Sequence, residues 1–370
     1  MLLGVEEEFF LVSTSNYFNT PLVPKALLSL IRRDRKYIFK SSIETPLARG
    51  KIPKSKGDFI KGFSLIEVKT SPHEDIESLK AELISHREAL IEVAEDNNLA
   101  LLPVGIHPLF NTQNTGLEIV AALHIHVERE DEKYYYNILR TIPYLIALTA
   151  NSPFADGQHT AMSSRALFSP AIGIPYNLYK RNSDLLINKS LNTVELRVLD
   201  TQVLVEDVIG AVATVKCIAH LIDVKKITQS WYATHRNDAI CKAKENIDTD
   251  ELYNEIYNIA EELSLTDYVH YFFTRKTGAE WQLECFNNYG LSTLLRSLWI
   301  SMREGKYTIE KSNTEINTEI RGGNNIWFLF LYSPFLILNL IKKLKQDDSL
   351  RTTDLFGQRK KEVHDIFTGI

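Results

Sequence analysis

Four short segments of the 370-residue chain carry side chains capable of chemistry at every second position. The pairs are Glu6 and Glu8, Glu67 and Lys69, His124 and His126, and Glu195 and Arg197. A β-strand places residues i and i+2 on one face, and in all four segments the opposite face includes at least one branched apolar residue. Each segment therefore predicts a strand with one apolar face and one face of carboxylate, imidazole, ammonium or guanidinium groups.

If these strands are neighbours, their polar faces combine into one surface. Carboxylates packed that closely repel one another and take raised pKa values unless a cation neutralises them. Clustered carboxylates beside an imidazole suit a hard divalent cation, Mg²⁺ or Mn²⁺, and magnesium often bridges to substrate phosphates. Arg197 fits such a site as a phosphate clamp. The pattern predicts a metal-dependent enzyme that acts on an anionic substrate.

Each pair alone also has a plain structural interpretation. Glu6 and Glu8 could line the solvated edge of a half-buried strand, and Glu195 with Arg197 could form an ordinary cross-strand ion pair. The two histidines of the His-x-His pair could simply be exposed or satisfied by neighbours. Four such strands in one chain favour the functional interpretation, because a solvated face more often carries Lys, Thr and Ser.

The elements that must position these pairs alternate between strands and helices. The predicted strands cover residues 3–12, 63–70, 100–106, 121–127 and 193–199. The predicted helices cover residues 76–98, 132–150 and 206–222, and residues from about 225 to 370 are expected to be mostly helical. This order predicts an α+β domain with an antiparallel or mixed sheet.

Composition narrows the class of protein. The net charge of −5 and the lack of a basic stripe argue against nucleic-acid binding. Three widely spaced cysteines argue against a disulfide framework or a zinc cluster. Three early glutamates argue against a signal peptide, and the apolar stretch 326–341 is too short and too broken to span a membrane, so it is expected in the core or at an interface. We expect a cytoplasmic protein with no membrane partner.

Five segments together resemble glutamate–cysteine ligase type 2, the carboxylate–amine ligase family. They are residues 4–9 (Gly-Val-Glu-Glu-Glu-Phe), 65–70, 122–127 (Ala-Leu-His-Ile-His-Val), 147–165 and 193–201, with a weaker similarity at 235–237 (His-Arg-Asn). The resemblance covers about residues 1–240. It implies an α+β, glutamine synthetase-like fold, in which helices wrap an antiparallel saddle-shaped sheet. We expect one catalytic domain over residues 1–370, with residues 241–370 as a mostly helical C-terminal region.

The resemblance also implies the reaction and its cofactors. ATP phosphorylates the γ-carboxylate of glutamate, and the amino group of cysteine, or of another amine, attacks the acyl phosphate. This chemistry requires ATP and two or more Mg²⁺ or Mn²⁺ ions, and it belongs to glutathione biosynthesis when cysteine is the acceptor. A homodimer is compatible with the resemblance. The alternatives are a carboxylate–amine ligase with a different acceptor and a non-catalytic homologue that binds a nucleotide or a partner protein.

Roles for individual residues follow from the same resemblance. The implied metal ligands are Glu6, Glu8, Glu67, His124 and Glu195. The implied nucleotide-binding residues are His126, Arg197 and Lys69. Arg197 and Arg165 are expected to stabilise the transferring phosphoryl group, and Asn151, Ser164 and Arg165 to bind substrate.

Three departures from the family pattern concern the same regions. Glu128 stands where the family usually has glycine, and Ala155-Asp156 stands where it tends to place an aromatic residue. The lysine-rich segment 51–61 predicts either a solvated loop or a lid over an anionic substrate.

Overall fold

The computed structural model describes residues 1–17, 23–44, 65–109, 120–129, 132–175, 179, 182–222 and 226–312. The predictions for the lysine-rich segment 51–61 and for the apolar stretch 326–341 lie outside these residues. Across the described part of the chain, no helix is both long and apolar enough to cross a membrane.

An antiparallel sheet forms the centre of the molecule. The strands are β1 (Leu3–Ser13), β2 (Ser41–Glu44), β3 (Leu65–Lys69), β4 (Leu99–Leu102), β5 (Ala122–Glu128), β6 (Phe154–Ala155), β7 (Gln158–His159), β8 (Leu185–Asn188) and β9 (Thr193–Asp200). The order across the main sheet is β2-β3-β1-β5-β9-β8, with β4 paired to the C-terminal half of β1, while β6 and β7 form a separate hairpin. The four strands predicted from the polar pairs are therefore neighbours in the order β3-β1-β5-β9.

Helices surround this sheet. They are α1 (Val23–Arg33), α2 (Tyr37–Lys40), α3 (Ile76–Asp96), α4 (Glu132–Thr149), α5 (Ser164–Phe168), α6 (Val205–Ala219), α7 (Gln229–Lys242), α8 (Thr249–Glu262), α9 (Thr266–Thr274) and α10 (Gly278–Glu304). Thr277 and Glu280 form a reciprocal capping box that starts α10. Gly290, at φ +78°, breaks the regular geometry inside α10.

The apolar side of the sheet is buried against α4 and α6. Val5, Ile125 and Leu196, from three adjacent strands, are at most 2% exposed and belong to one core cluster with residues of these helices. Full burial of such a side chain contributes about 1.5–3 kcal/mol. A second cluster joins the far half of β1 to β4, α3 and α10. Helices from beyond residue 240 contribute to both clusters, although the single-domain assignment stays a prediction.

One charged residue lies on the apolar side of β1. Glu7 is 1% exposed, and its carboxylate accepts hydrogen bonds from Nη2 (2.6 Å) and Nε (3.2 Å) of Arg87 on α3. Arg87 also donates to the backbone carbonyls of Gln202 (3.0 Å) and Val203 (2.6 Å). A buried ion pair is tolerated when further hydrogen bonds satisfy it, as here. Glu7 therefore joins the central strand to α3 and to the segment after β9.

Candidate functional site

The strand register brings the polar pairs together across the sheet. Glu6 on β1 lies opposite Lys69 on β3 and opposite His124 on β5. Further along β1, Glu8 lies opposite Glu67. The predicted juxtaposition on one face is thus confirmed for the β3, β1 and β5 pairs.

The fourth pair, Glu195 and Arg197 on β9, lies next to the β5 pair on the same face. His126 on β5 lies opposite Glu195 on β9, and the register between these strands shifts at an irregularity between Leu123 and Ile125. Arg197 follows Glu195 at the next position on the same face. The polar face is hereafter the surface formed by Glu6, Glu8, Glu67, Lys69, His124, His126, Glu195 and Arg197.

Glu6 is at the centre of the polar face. Its Oε2 lies 3.2 Å from Nδ1 of His124, and its Oε1 lies 3.7 Å from Nε2 of His126. On the other side, Nζ of Lys69 donates to Oε1 of Glu6 at 2.8 Å. Burial alone raises the pKa of Glu6, but the two histidines and Lys69 outweigh it and hold this pKa well below its usual range. Glu6 is therefore ionised near neutral pH.

Lys69 joins two carboxylates. Its Nζ lies 2.7 Å from Oε1 of Glu67 as well as 2.8 Å from Oε1 of Glu6. Burial lowers the pKa of Lys69, but the charges of Glu67 and Glu6 outweigh that effect and raise the pKa above its usual range. The ammonium is therefore a fixed positive charge on the polar face.

Glu195 is held by neighbours on both sides. Asn188 on β8 donates to its Oε2 at 2.9 Å, and Nε of Arg197 lies 3.2 Å from its Oε1. Burial raises the pKa of Glu195, but the charges of His124, His126 and Arg197 lower it below its usual value. Like Glu6, this carboxylate is ionised near neutral pH.

His126 has a buried ring nitrogen, Nε2, that lies 3.7 Å from Oε1 of Glu6, beyond hydrogen-bond distance. Its Nδ1 lies 3.1 Å from Oγ1 of Thr193, which fixes the ring orientation. Its Nε2 is buried and has no hydrogen-bond partner among the residues that the structure describes. Such a nitrogen is costly unless a ligand satisfies it. Thr193 shares the face of Glu195 by alternation, so the strand pattern could have identified it.

The donor atoms of the polar face suit a hard divalent cation. Two of the carboxylates, those of Glu6 and Glu67, are already paired with Lys69. Carboxylate oxygens with one imidazole are ligands that magnesium or manganese accepts. Within the described ranges, no group of three or more His, Cys, Asp and Glu side chains is close enough to form a ready metal centre. The ligand roles of Glu6, Glu8, Glu67, His124 and Glu195 therefore stay predictions.

Arg165, predicted to contact the phosphoryl group, is directed elsewhere. It is 2% exposed, and its guanidinium donates to the backbone carbonyls of Arg197 (2.9 Å), Val198 (2.9 Å) and Leu199 (3.3 Å). Burial lowers its pKa, against the charge of Asp200. These contacts place the guanidinium at the end of β9, the strand that carries Arg197, and the predicted contact with the phosphoryl group stays a prediction.

Asn151 and Ser164, predicted to bind substrate, are also buried within the protein. Asn151 donates to the carbonyls of Pro103 (2.7 Å) and Thr201, and its Oδ1 accepts from Gln282 at 2.7 Å. The hydroxyl of Ser164 shares a hydrogen bond with the hydroxyl of Thr160. Ser164 as a whole is fully buried, at 0% exposed. Both residues are bound within the protein, and their substrate-binding roles stay predictions. The segment that contains them is folded around a carboxylate.

That carboxylate is Asp200, which the sequence reasoning did not identify. It accepts hydrogen bonds from the backbone N of Asn151 (2.9 Å) and from the hydroxyls of Ser152 (2.7 Å) and Ser163 (3.1 Å). Burial nevertheless raises its pKa. Two features of the sequence could have identified it. One is an aspartate at the end of an apolar strand, and the other is three small polar residues within the segment 151–163.

Arg236, in the weaker motif at residues 235–237, supports strand β9, which carries Arg197. Arg236 on α7 forms a two-pronged ion pair with Asp184, at 2.6 Å through Nε and 3.0 Å through Nη2. Tyr232 donates to the same carboxylate at 2.8 Å. The backbone carbonyl of Asp184 accepts from the backbone N of Arg197 at 2.8 Å. Arg236 thus braces the strand that carries Arg197.

The departures from the family pattern have local explanations. Oε2 of Glu128 accepts a hydrogen bond from the backbone N of Leu2 at 2.9 Å, which ties the end of β5 to the start of β1. Asp156 and Gly157 form the turn of the β6–β7 hairpin at φ +55° and +72°. Left-handed geometry suits Asp-Gly and would strain an aromatic residue. These substitutions are therefore consistent with the backbone found here.

Comparison with known proteins agrees with this fold. The family model for glutamate–cysteine ligase family 2 matches residues 2–118. A relative from Roseiflexus castenholzii, named "Putative glutamate--cysteine ligase 2", is 23% identical over 230 residues, which is 49% of this chain and 61% of the relative. A Legionella pneumophila protein, named "Putative glutamate--cysteine ligase 2-2", is 27% identical over 192 residues, 46% of this chain and 47% of the relative. The chain thus spans about half to three fifths of these relatives.

A solved structure extends the similarity over the whole chain. The structure of a glutamate–cysteine ligase from Francisella tularensis in complex with AMP has a TM-score of 0.55 and 13% sequence identity, and it covers 100% of this chain and 97% of that one. The α+β, glutamine synthetase-like fold class is confirmed. The resemblance to glutamate–cysteine ligase family 2 is confirmed as well, most directly over the N-terminal third.

Proposed function

We propose that this chain is an ATP- and magnesium-dependent carboxylate–amine ligase that joins the γ-carboxylate of glutamate to the amino group of cysteine or another amine. The observation that carries the proposal is the polar face, which four adjacent strands assemble from ionised carboxylates, cations and a buried imidazole nitrogen that makes no hydrogen bond to the described residues. Anionic phosphates with their metal ions match this combination of charges.

Each part of the polar face has a proposed task. Glu6, Glu8, Glu67, His124 and Glu195 are the groups that would hold divalent cations delivered with the nucleotide. A cation bound there would neutralise charge on the nucleotide phosphates and on the transferring phosphoryl group. His126, Arg197 and Lys69 would hold phosphate oxygens. Arg165, Asn151 and Ser164 enter the proposal as positioning residues only.

The proposed reaction has two steps. A γ-carboxylate oxygen of glutamate attacks the γ-phosphorus of ATP, and ADP leaves with the electrons of the broken bond. The amine nitrogen then attacks the acyl carbon, inorganic phosphate leaves, and the amine loses a proton to form the amide. Arg197 suits the first step because a planar guanidinium can bind two phosphoryl oxygens at once.

The acceptor and the cellular setting are proposed from the resemblance. Cysteine as acceptor would place the reaction in glutathione biosynthesis, and we propose a cytoplasmic enzyme that acts on small molecules, with a homodimer as the expected assembly. A different amine acceptor is the alternative within the same chemistry.

Product analysis tests the proposal. The purified chain is incubated with ATP, Mg²⁺, glutamate and a mixed pool of amino acids and amines, and ADP, phosphate and adducts are followed by mass spectrometry. We expect equimolar ADP and phosphate together with a γ-glutamyl adduct, and a γ-glutamylcysteine peak identifies cysteine as the acceptor. An adduct of glutamate with another amine would identify a different acceptor and would still support the ligase reaction.

Variants link the product to the polar face. Glu195→Gln should abolish adduct formation while the thermal unfolding temperature stays within a few degrees of the parent. Glu88→Gln, an exposed substitution on α3, is the matched control and should leave turnover unchanged. Tight ATP binding without phosphate release for any amine would contradict the ligase and identify a non-catalytic nucleotide-binding protein.

A further inference from the structure

The lysine on the polar face occupies a position that is unusual for a metal-binding surface. Nζ of Lys69 lies between Oε1 of Glu6 (2.8 Å) and Oε1 of Glu67 (2.7 Å). The two glutamates come from adjacent strands, and their side chains are 17% and 7% exposed. Strand pairing fixes this arrangement, since Lys69 lies directly opposite Glu6. The ammonium is therefore built into the sheet.

The contacts satisfy much of the charge of this carboxylate pair. An ammonium has three donors, and two of them are directed to oxygen atoms that a divalent cation would also require. Magnesium binds oxygen at about 2.0–2.1 Å, so an ion that bridged the two Oε1 atoms would lie too close to Nζ in its present position. A cation that bridged Glu6 and Glu67 through these two oxygens would first have to displace Lys69 and break two charge-assisted hydrogen bonds.

We propose that Lys69 is a tethered cation that substitutes for one divalent ion between Glu6 and Glu67, so that this chain binds metal mainly on the His124 and Glu195 side of the polar face. The side chain of Lys69 is 38% exposed, which leaves the ammonium accessible to an anionic group such as a phosphate. The inference rests on the proposed function, in that the same face handles nucleotide phosphates. It assigns a reduced metal requirement to this chain.

Metal counting without nucleotide tests the inference independently of turnover. Mn²⁺ is titrated into the full chain, and unbound Mn²⁺ is measured by electron paramagnetic resonance. Lys69→Met should bind about one Mn²⁺ more per chain than the parent, or bind it at least about tenfold more tightly, because a charge-assisted competitor has been removed. Lys69→Arg keeps the positive charge and should resemble the parent.

Two further variants define the location. Lys69→Met combined with Glu67→Gln should lose the additional ion, because one of its carboxylates is gone. Lys36→Met is the matched control, since Lys36 is 39% exposed and paired with Asp34 away from the polar face. It should bind Mn²⁺ as the parent does.

The outcomes separate cleanly. Equal Mn²⁺ stoichiometry and affinity in Lys69→Met and the parent would overturn the inference, as would an additional ion in Lys36→Met, which would indicate a general effect of surface charge. A rise in unfolding temperature with Mn²⁺ that is larger for Lys69→Met than for the parent would support it and would show that the variant is folded. Failure of the ligase proposal appears instead as missing ADP and adduct in the parent.

Discussion

Removal of Arg87 should destabilise the protein strongly without touching the polar face. Arg87→Met leaves the carboxylate of Glu7 buried without its counter-ion and removes donors from the carbonyls of Gln202 and Val203. Glu7 and Arg87 are 1% and 4% exposed, so water cannot replace the lost contacts in the folded state. Breaking one side of a buried pair typically costs about 3–5 kcal/mol.

The expected size can be expressed as a temperature. An unfolding entropy of about 2.1 cal/mol/K per residue, over 370 residues, gives a change in Tm of about 1.3 °C per kcal/mol. Arg87→Met should therefore lower the Tm by about 4–6 °C. Combining it with Glu7→Leu removes the orphaned charge, and the double variant should recover at least about 2 kcal/mol relative to the sum of the single changes.

Thermal unfolding followed by far-ultraviolet circular dichroism measures all three variants, and the exposed Glu88→Gln serves as the control, with an expected effect within about 0.5 kcal/mol. Strictly additive losses, or a loss below about 1 kcal/mol for Arg87→Met, would refute the reasoning. Either result would mean that Glu7 and Arg87 do not depend on each other in the folded protein.

Three further predictions concern the rest of the molecule. Gly278→Ala should cost about 1–3 kcal/mol in thermal unfolding, because the added Cβ would lie 1.9 Å from Oδ1 of the buried Asn151. Although burial opposes it, Lys40 and other donors lower the pKa of Glu82 from its ordinary 4.5 to about 2. Its contribution to stability is therefore full above pH 4.5 and lost as the pH falls towards 2, and Glu82→Gln should flatten this part of a pH series of unfolding temperatures. Arg197→Lys should reduce ADP formation at least about tenfold with little change in Tm, because an ammonium cannot bind two phosphoryl oxygens as a planar guanidinium does.

The sequence predicted the polar face well because alternation is a local property. Every second residue of β1, β3, β5 and β9 shares a face whatever the fold, so the side-chain types were readable directly. The order β3-β1-β5-β9 was not readable, because pairing between residues such as Glu6 and His124, which are far apart in the chain, depends on the assembled core. The resemblance supplied the fold class that the pattern alone left open.

Short elements without alternation were missed. β2 and β8 have four residues each, and neither Ser-Ser-Ile-Glu nor Leu-Leu-Ile-Asn shows a strand period. The predicted strand 100–106 is shorter in the structure, where β4 ends at Leu102. Pro103 follows immediately and cannot donate to a strand ladder.

The partners of charged groups outside the alternating strands were the least predictable. Arg165 was expected to face substrate, but its guanidinium is bound by carbonyls at the end of β9. A lone arginine in a five-residue helix belongs to no repeating pattern, so nothing local distinguishes a phosphate ligand from backbone carbonyls as its partner. Likewise, the convergence of Asn151, Ser152 and Ser163 on Asp200 depends on contacts between distant segments.

The central place of β1 has a consequence for synthesis on the ribosome. β1 pairs with β3, β4 and β5, so the last of its partners is complete only at Glu128. At about 5–20 residues per second, the edge of β1 that pairs with β5 waits roughly 6–25 s for its neighbour, and the edge that pairs with β3 waits roughly 3–13 s. During that interval unpaired strand edges can pair with other chains. The assembly of the polar face is thus a late event in the life of the nascent chain, and binding by a chaperone before β5 emerges should raise the yield of folded protein.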